Sequence, residues 1–179
     1  RAAPTPKSAS RAPPPAGHKA LQGGDKQCGG RRFGQLLNAN GGKVDGVLAA
    51  NDGLAGAIIT VLQKNGLNGT VPVTGQDATP AGLQAILRGD QCMTVYKPIK
   101  DEADNAAALA IAIVKGQNPT TATGVTKDPE SGASIPSVLL TPKSITKPTV
   151  KDVVADGFVT KEALCTGAFA ALCTANGIS

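Results

Sequence analysis

The sequence predicts an α/β fold in which a parallel sheet is flanked by helices, and three observations carry that expectation. Between residues 44 and 115, short apolar runs alternate with stretches whose apolar residues recur at helical spacing. Three such runs follow one another with a helical stretch after each, the pattern of parallel strands joined by crossovers. The first 42 residues carry no such periodicity, so the ordered fold is expected to begin near Lys43.

Each element has its own signal. Residues 44–50 (VDGVLAA) read as a short buried strand. Residues 52–65 read as a helix, with Leu54, Ile58, Val61 and Leu62 on one face and Asn65-Gly66 as the stop. Residues 71–75 form the next strand. Thr79 and Pro80 supply an N-cap and a first-turn proline for a helix ending at Arg88, with Leu83, Ile86 and Leu87 inward. Residues 92–96 are the third strand. Residues 101–115 form an Ala-rich helix, acidic at its start and basic at its end as the macrodipole favours, stopped by Gly116. The pattern then changes. Residues 121–126 and 135–140 read as an antiparallel hairpin, followed by short helical pieces over 150–155 and 161–165 and a last helix over 167–176.

The leader is different in kind. Pro4, Pro6, Pro13, Pro14 and Pro15 deny a helix its donors, and its glycines add freedom. It is expected to be irregular through about Gln27, with a short helix over 32–38. It also holds the whole basic surplus. Residues 1–43 carry eight bases against Asp25, a net of +7, while the remainder carries ten bases against twelve acids, a net of −2. The overall +5 is therefore no sign of a nucleic-acid surface, and no nucleic-acid partner is expected.

Composition excludes other classes. Hydrophobic residues make up 41% and aromatics 2%, so the core must be aliphatic. No apolar run approaches the ~18 residues of a membrane span. The chain opens at Arg1 without a signal-peptide pattern, so any such peptide is expected to have been removed or to lie outside this sequence. His18 is the only histidine, and Cys28, Cys92, Cys165 and Cys173 lack paired zinc spacing, so no metal or other cofactor is expected. Cys165 and Cys173 read as a candidate disulfide in an oxidising compartment, or else as two small buried residues.

Ligands of open α/β sheets bind beyond the carboxyl ends of the strands. Asn51 and Asp52 follow the first strand, Gln76 and Asp77 the second, and Tyr96 and Lys97 close the third. Asn51, Asp77 and Lys97 would offer an amide, a carboxylate and an ammonium to one rim, a set suited to a neutral polyhydroxylated ligand. Against this, Asp52 reads as a residue that caps or charges its helix, Asn51 as a turn residue, and Lys97 as a solvated base before Pro98. Asp77 has no evident structural task, because Thr79 already serves as the cap.

The same residues carry a resemblance. AANDG (49–53), VTGQDATPAGLQAILRGDQ (73–91) and MTVYKPIK (93–100) are similar to the C-terminal-lobe motifs of the xylose-binding branch of type I periplasmic sugar-binding proteins. PSVLLTP (136–142), VKDVVADGF (150–158) and the tail around Cys165 and Cys173 continue it, from residue 43 to 179. The resemblance implies the C-terminal lobe of that fold, with Asn51, Asp77 and Lys97 as sugar-contacting residues. It implies an extracytoplasmic substrate-binding component that takes an aldopentose such as D-xylose and presents it to an ABC permease, without catalysis. Residues 1–42 do not resemble the matching stretch, so they are expected to be non-native or fused, and this sequence is expected to lack the N-terminal lobe. The helix over 101–115, which packs with that lobe in the family, is expected to leave an apolar face exposed. The alternatives are the effector-binding core of a sugar-responsive transcription regulator, for which no helix-turn-helix is visible, and a glycosidase using Asp52 and Asp77, for which no glutamate lies near the rim.

Overall fold

A computed structural model of the chain describes residues 26–178. It opens with α1 (Lys26–Ala39), where an irregular segment with only a short helix was expected. The expectation for residues 1–25 lies outside the described residues. The reason for the longer helix is tertiary. α1 packs on α2 (Asp52–Lys64), and its glycines make the close approach possible. A methyl on Gly29 would lie 2.5 Å from Leu54 Cδ2, and one on Gly30 would lie 3.2 Å from the Ala57 carbonyl oxygen. Packing thus outweighs the low intrinsic helix propensity of Gly. Phe33 reaches the core beside α2, and Leu37 is buried.

The parallel sheet is present in abbreviated form. Val47 bridges Val73, and Gln76 bridges Val95, both in parallel register. The first two expected strands contribute these bridges rather than long ladders, and Pro72 has no N–H to lend. The Pro72 carbonyl still accepts from Val47 N–H at 2.9 Å. The third strand is β1 (Thr94–Tyr96). Its far neighbour is β4 (Lys143–Ile145), antiparallel, with Thr94 opposite Ile145. No strand was expected at 143–145, where prolines and lysines hide the signal.

α3 (Pro80–Arg88) precedes β1, and between β1 and β4 lie α4 (Ile99–Val114) and an antiparallel pair, β2 (Gly124–Lys127) with β3 (Ser134–Ser137). After a 3₁₀ turn at Lys147–Thr149 come α5 (Val150–Ala155), α6 (Lys161–Leu164) and α7 (Phe169–Ala175). The expected N-cap holds, with Thr79 accepting from Gly82 N–H, and Gly89, not singled out in the sequence, ends α3 in the left-handed region.

Two apolar clusters result. One gathers α2 residues Ala55, Ile58, Ile59 and Leu62 with Val71, Val73 and Ala85. The other joins Leu83, Ile86 and Leu87 of α3 to Tyr96, Ile145, Val150, Val153, Leu164 and Cys173. Helix α3 faces both. Cys165 and Cys173 form a disulfide that ties the end of α6 to α7. Cys92 is an exposed thiol whose Sγ lies 3.0 Å from the Val73 carbonyl.

Residues 97–144 are another matter, because not one of them is buried. Ile111, Ile113 and Val114 on α4 are mostly exposed, as the resemblance implied for this helix.

Candidate ligand-binding site

The site is built where three chain segments end side by side. Asp52 N–H donates to the Gln76 carbonyl at 2.9 Å, and Asp77 N–H donates to the Val95 carbonyl at 2.9 Å. These bonds fix residues 51–52, 76–77 and 95–97 as neighbours at the carboxyl ends of the parallel segments.

Asn51 is the N-cap of α2. Its backbone is extended, and its Oδ1 accepts from Leu54 N–H at 2.9 Å. With that oxygen engaged, the amide NH₂ is the group most available to a ligand. Asp52, expected to cap or charge its helix, is the acidic residue of the first turn but not the cap. Asn51 takes the cap, and the Asp52 carboxylate turns inward to Thr79, Gln91 and Thr94.

Asp77 has φ of +97°, and Ala78 follows with φ of +48°. Left-handed backbone at a non-glycine residue is sterically disfavoured, and two in succession define a tightly specified turn. Asp77 projects its carboxylate to the Lys97 ammonium, 3.2 Å from Oδ1, with both side chains between a third and two-fifths exposed. In that degree of solvent the ion pair contributes at most about 1 kcal/mol. The pair is a pre-set acceptor and donor, neutral in sum.

The structure therefore brings Asp77 and Lys97 into contact and sets Asn51 beside them through the backbone. The one side-chain hydrogen bond of Asn51 among the described residues is the helix cap. Tyr96, which closes the third expected strand beside Lys97, is 5% exposed. Its ring lies 5.1 Å from that of Phe158, and its hydroxyl donates to Asp156. Alternation along a strand explains the difference: Tyr96 and Lys97 point to opposite faces.

A shallow cavity of about 200 Å³ adjoins Lys97, lined also by Gln76, Val95, Glu102 and Leu140. A second, of about 370 Å³, shares Glu102 and Leu140 with it and runs between α4 and residues 138–140. No cluster of three or more metal-ligating side chains occurs among the described residues. No described helix is long and apolar enough to cross a membrane.

An open α/β sheet with polar side chains gathered at its strand ends is the architecture of a ligand-binding lobe. The chain belongs to the periplasmic binding protein domain family, whose profile matches residues 17–118, and its fold is of type I. That match begins inside the leader that the sequence reading had set aside. The chain is 45% identical to the D-xylose-binding periplasmic protein of Escherichia coli over 126 residues, 68% of this chain and 36% of that one. It is 33% identical to a multiple sugar-binding periplasmic receptor of Rhizobium radiobacter, covering 70% of this chain and 37% of that protein. Among solved structures, a carbohydrate transporter solute-binding protein from Chloroflexus aurantiacus in complex with D-glucose is similar, with a TM-score of 0.68. The two are 26% identical, and the alignment covers 78% of this chain and 41% of that one. The chain thus spans a little over a third of the length of the curated relatives it matches.

Proposed function

We propose that this chain carries the C-terminal-lobe half of a sugar site, as part of the substrate-binding component of an ABC sugar importer. Its ligand is a neutral aldopentose such as D-xylose, held by Asn51, Asp77 and Lys97. The observation that carries this reading is the Asp77–Lys97 pair at the ends of adjoining parallel segments. A carboxylate accepts from two sugar hydroxyls while an ammonium donates to a third, and the neutral sum disfavours sugar acids and phosphates. The identity to a D-xylose-binding relative supports the pentose.

In this reading the chain is a binding module without catalysis, its further partner is a membrane permease, and it works outside the cytoplasm. The Cys165–Cys173 disulfide agrees with an oxidising compartment. Calorimetric titration of xylose, ribose, glucose and their phosphates tests the proposal. Binding of the neutral sugars with xylose favoured is expected, and preference for a phosphorylated sugar would reject it.

A further inference from the structure

We propose that Asp52, which faces the interior rather than the ligand, is the positioning residue that holds Asp77 in its left-handed, ligand-facing conformation. The inference rests on Asp77 being part of the sugar site, and it adds the device that sets its geometry.

Asp52 is 4% exposed and makes no ion pair among the described residues. Its charge is satisfied by four hydrogen bonds instead. Oδ2 accepts from Thr79 N–H at 2.8 Å and from the Thr79 hydroxyl at 3.1 Å. Oδ1 accepts from the Thr94 hydroxyl at 2.7 Å and from Gln91 Nε2 at 2.9 Å. Such charge-assisted bonds are the strong ones, and their number explains how a carboxylate stays in this interior.

The residues so gripped are those on either side of the strained turn. Gln76 is held through its carbonyl by Asp52 N–H, and Thr79 through its amide and hydroxyl by the Asp52 carboxylate. Ala78 N–H donates to the Thr94 hydroxyl at 3.3 Å, and that hydroxyl in turn donates to Asp52. Asp52 thus clamps both ends of the Asp77–Ala78 step and, through Thr94, its middle. Backbone in a sparsely populated region persists only where its surroundings over-determine it, and these contacts do so.

Two further observations show a site built for this carboxylate. A methyl on Gly75 would lie 2.2 Å from Asp52 Oδ1, and one on Gly82 would lie 2.2 Å from Oδ2, so both positions are emptied of side chain around it. Gln91, 2% exposed, gives its Nε2 to Asp52 and to the Met93 carbonyl, while its Oε1 has no hydrogen-bond partner among the described residues. The donor end serves Asp52 even with that acceptor left bare.

Asp52→Asn is the test, read by NMR on the full chain. Thr79 N–H and Gln91 NH₂ approach opposite oxygens and cannot become acceptors, so either orientation of the new amide sets its NH₂ against a donor. Positive φ brings an amide proton close to its own Hα, which gives Asp77 a strong intraresidue Overhauser effect. In folded Asp52→Asn that signal should weaken, and the xylose response at Asp77 and Lys97 should require roughly tenfold more sugar. Thr94→Val, which removes only the middle contact, should move both readouts the same way to a lesser degree. A remote core variant, Ile59→Val, should lower the melting temperature and leave the Asp77 signal alone. An unaltered Asp77 signal in folded Asp52→Asn overturns the proposal. If Asp52→Asn does not fold, an unaltered signal in Thr94→Val overturns it equally. The Overhauser readout needs no sugar, so a wild-type chain that ignores xylose would sink the sugar reading while leaving the positioning role judged on its own.

Discussion

The Lys97 ammonium lies 3.2 Å from the Asp77 carboxylate, and Asp77 offers that carboxylate from a backbone with φ of +97°. The contact is weak in energy and specific in geometry. Strain of order 1–3 kcal/mol at such a residue exceeds what an exposed ion pair returns. The ion pair alone therefore does not account for the conformation, and the hydrogen bonds around the turn must hold it.

Asp77→Gly should separate stability from binding. Glycine adopts positive φ without steric cost but loses about 1 kcal/mol through the freedom of the unfolded chain. The balance predicts a gain of about 0–2 kcal/mol in urea denaturation, less up to about 1 kcal/mol for the lost ion pair. It should lose its xylose response. A marked loss of stability would show that Asp77 carries more of the fold than its exposure suggests.

Gly82→Ala should invert the usual rule for helices. Replacing glycine by alanine inside a helix ordinarily stabilises by about 1 kcal/mol. Here the new methyl would lie 2.2 Å from Asp52 Oδ2, so the turn must shift or the carboxylate must leave its donors. Destabilisation of roughly 2–3 kcal/mol is expected, read from the denaturation midpoint. A stabilised variant would refute the tight cradle around Asp52.

How much of this was legible in the sequence follows from where the physics is local. Periodicity and caps located α2 and α3 within a residue, because Asn65-Gly66 and Thr79-Pro80 act through nearest neighbours. The strand-end rule set Asn51, Asp77 and Lys97 on one rim. Contacts between distant segments could not be read. Helix α1 depends on glycines meeting Leu54 and Ala57, a contact between distant segments. The inward turn of Asp52 depends on Thr94 and Gln91, whose approach no spacing announces. Gly75 closes the expected strand over 71–75 and Gly82 lies inside the expected helix, and neither position marks that contact in the sequence.

Tyr96 should make the fold sensitive to alkali. Its hydroxyl pKa is pushed up to about 12 by the hydrogen bond to Asp156, by burial, and by the charges of Asp156 and Asp101. The unfolded tyrosine ionises near 10. A raised folded pKa means that the stabilisation is complete below about pH 10 and is lost as pH rises towards 12. Urea midpoints at about pH 8 and pH 11 should therefore fall more in the wild-type chain than in Tyr96→Phe. Parallel falls would remove Tyr96 as the source.

Reduction of Cys165–Cys173 should loosen the C-terminal helices. The closed loop is short, so the bond contributes about 2–3 kcal/mol by loop-closure reasoning. Cys173 and Leu164 are buried beside α3, so the loss should appear as earlier hydrogen exchange in α6 and α7. Exchange unchanged by reductant would indicate that packing alone holds them.

The central claim is that Asn51, Asp77 and Lys97 together face a sugar. They do so from one side, with Asp77 and Lys97 partly in solvent, so each contact nets only ~1 kcal/mol against competing water. Millimolar affinity, about −4 kcal/mol, is the expected strength for this chain. The most direct measurement is residue-by-residue NMR titration of the full chain with D-xylose. Saturable shifts centred on the Asn51 side-chain amide and on the backbone amides of Asp77 and Lys97 are expected, with a dissociation constant in the millimolar range. Saturation that leaves all three unmoved while signals elsewhere shift, or no shift anywhere well above that concentration, would contradict it.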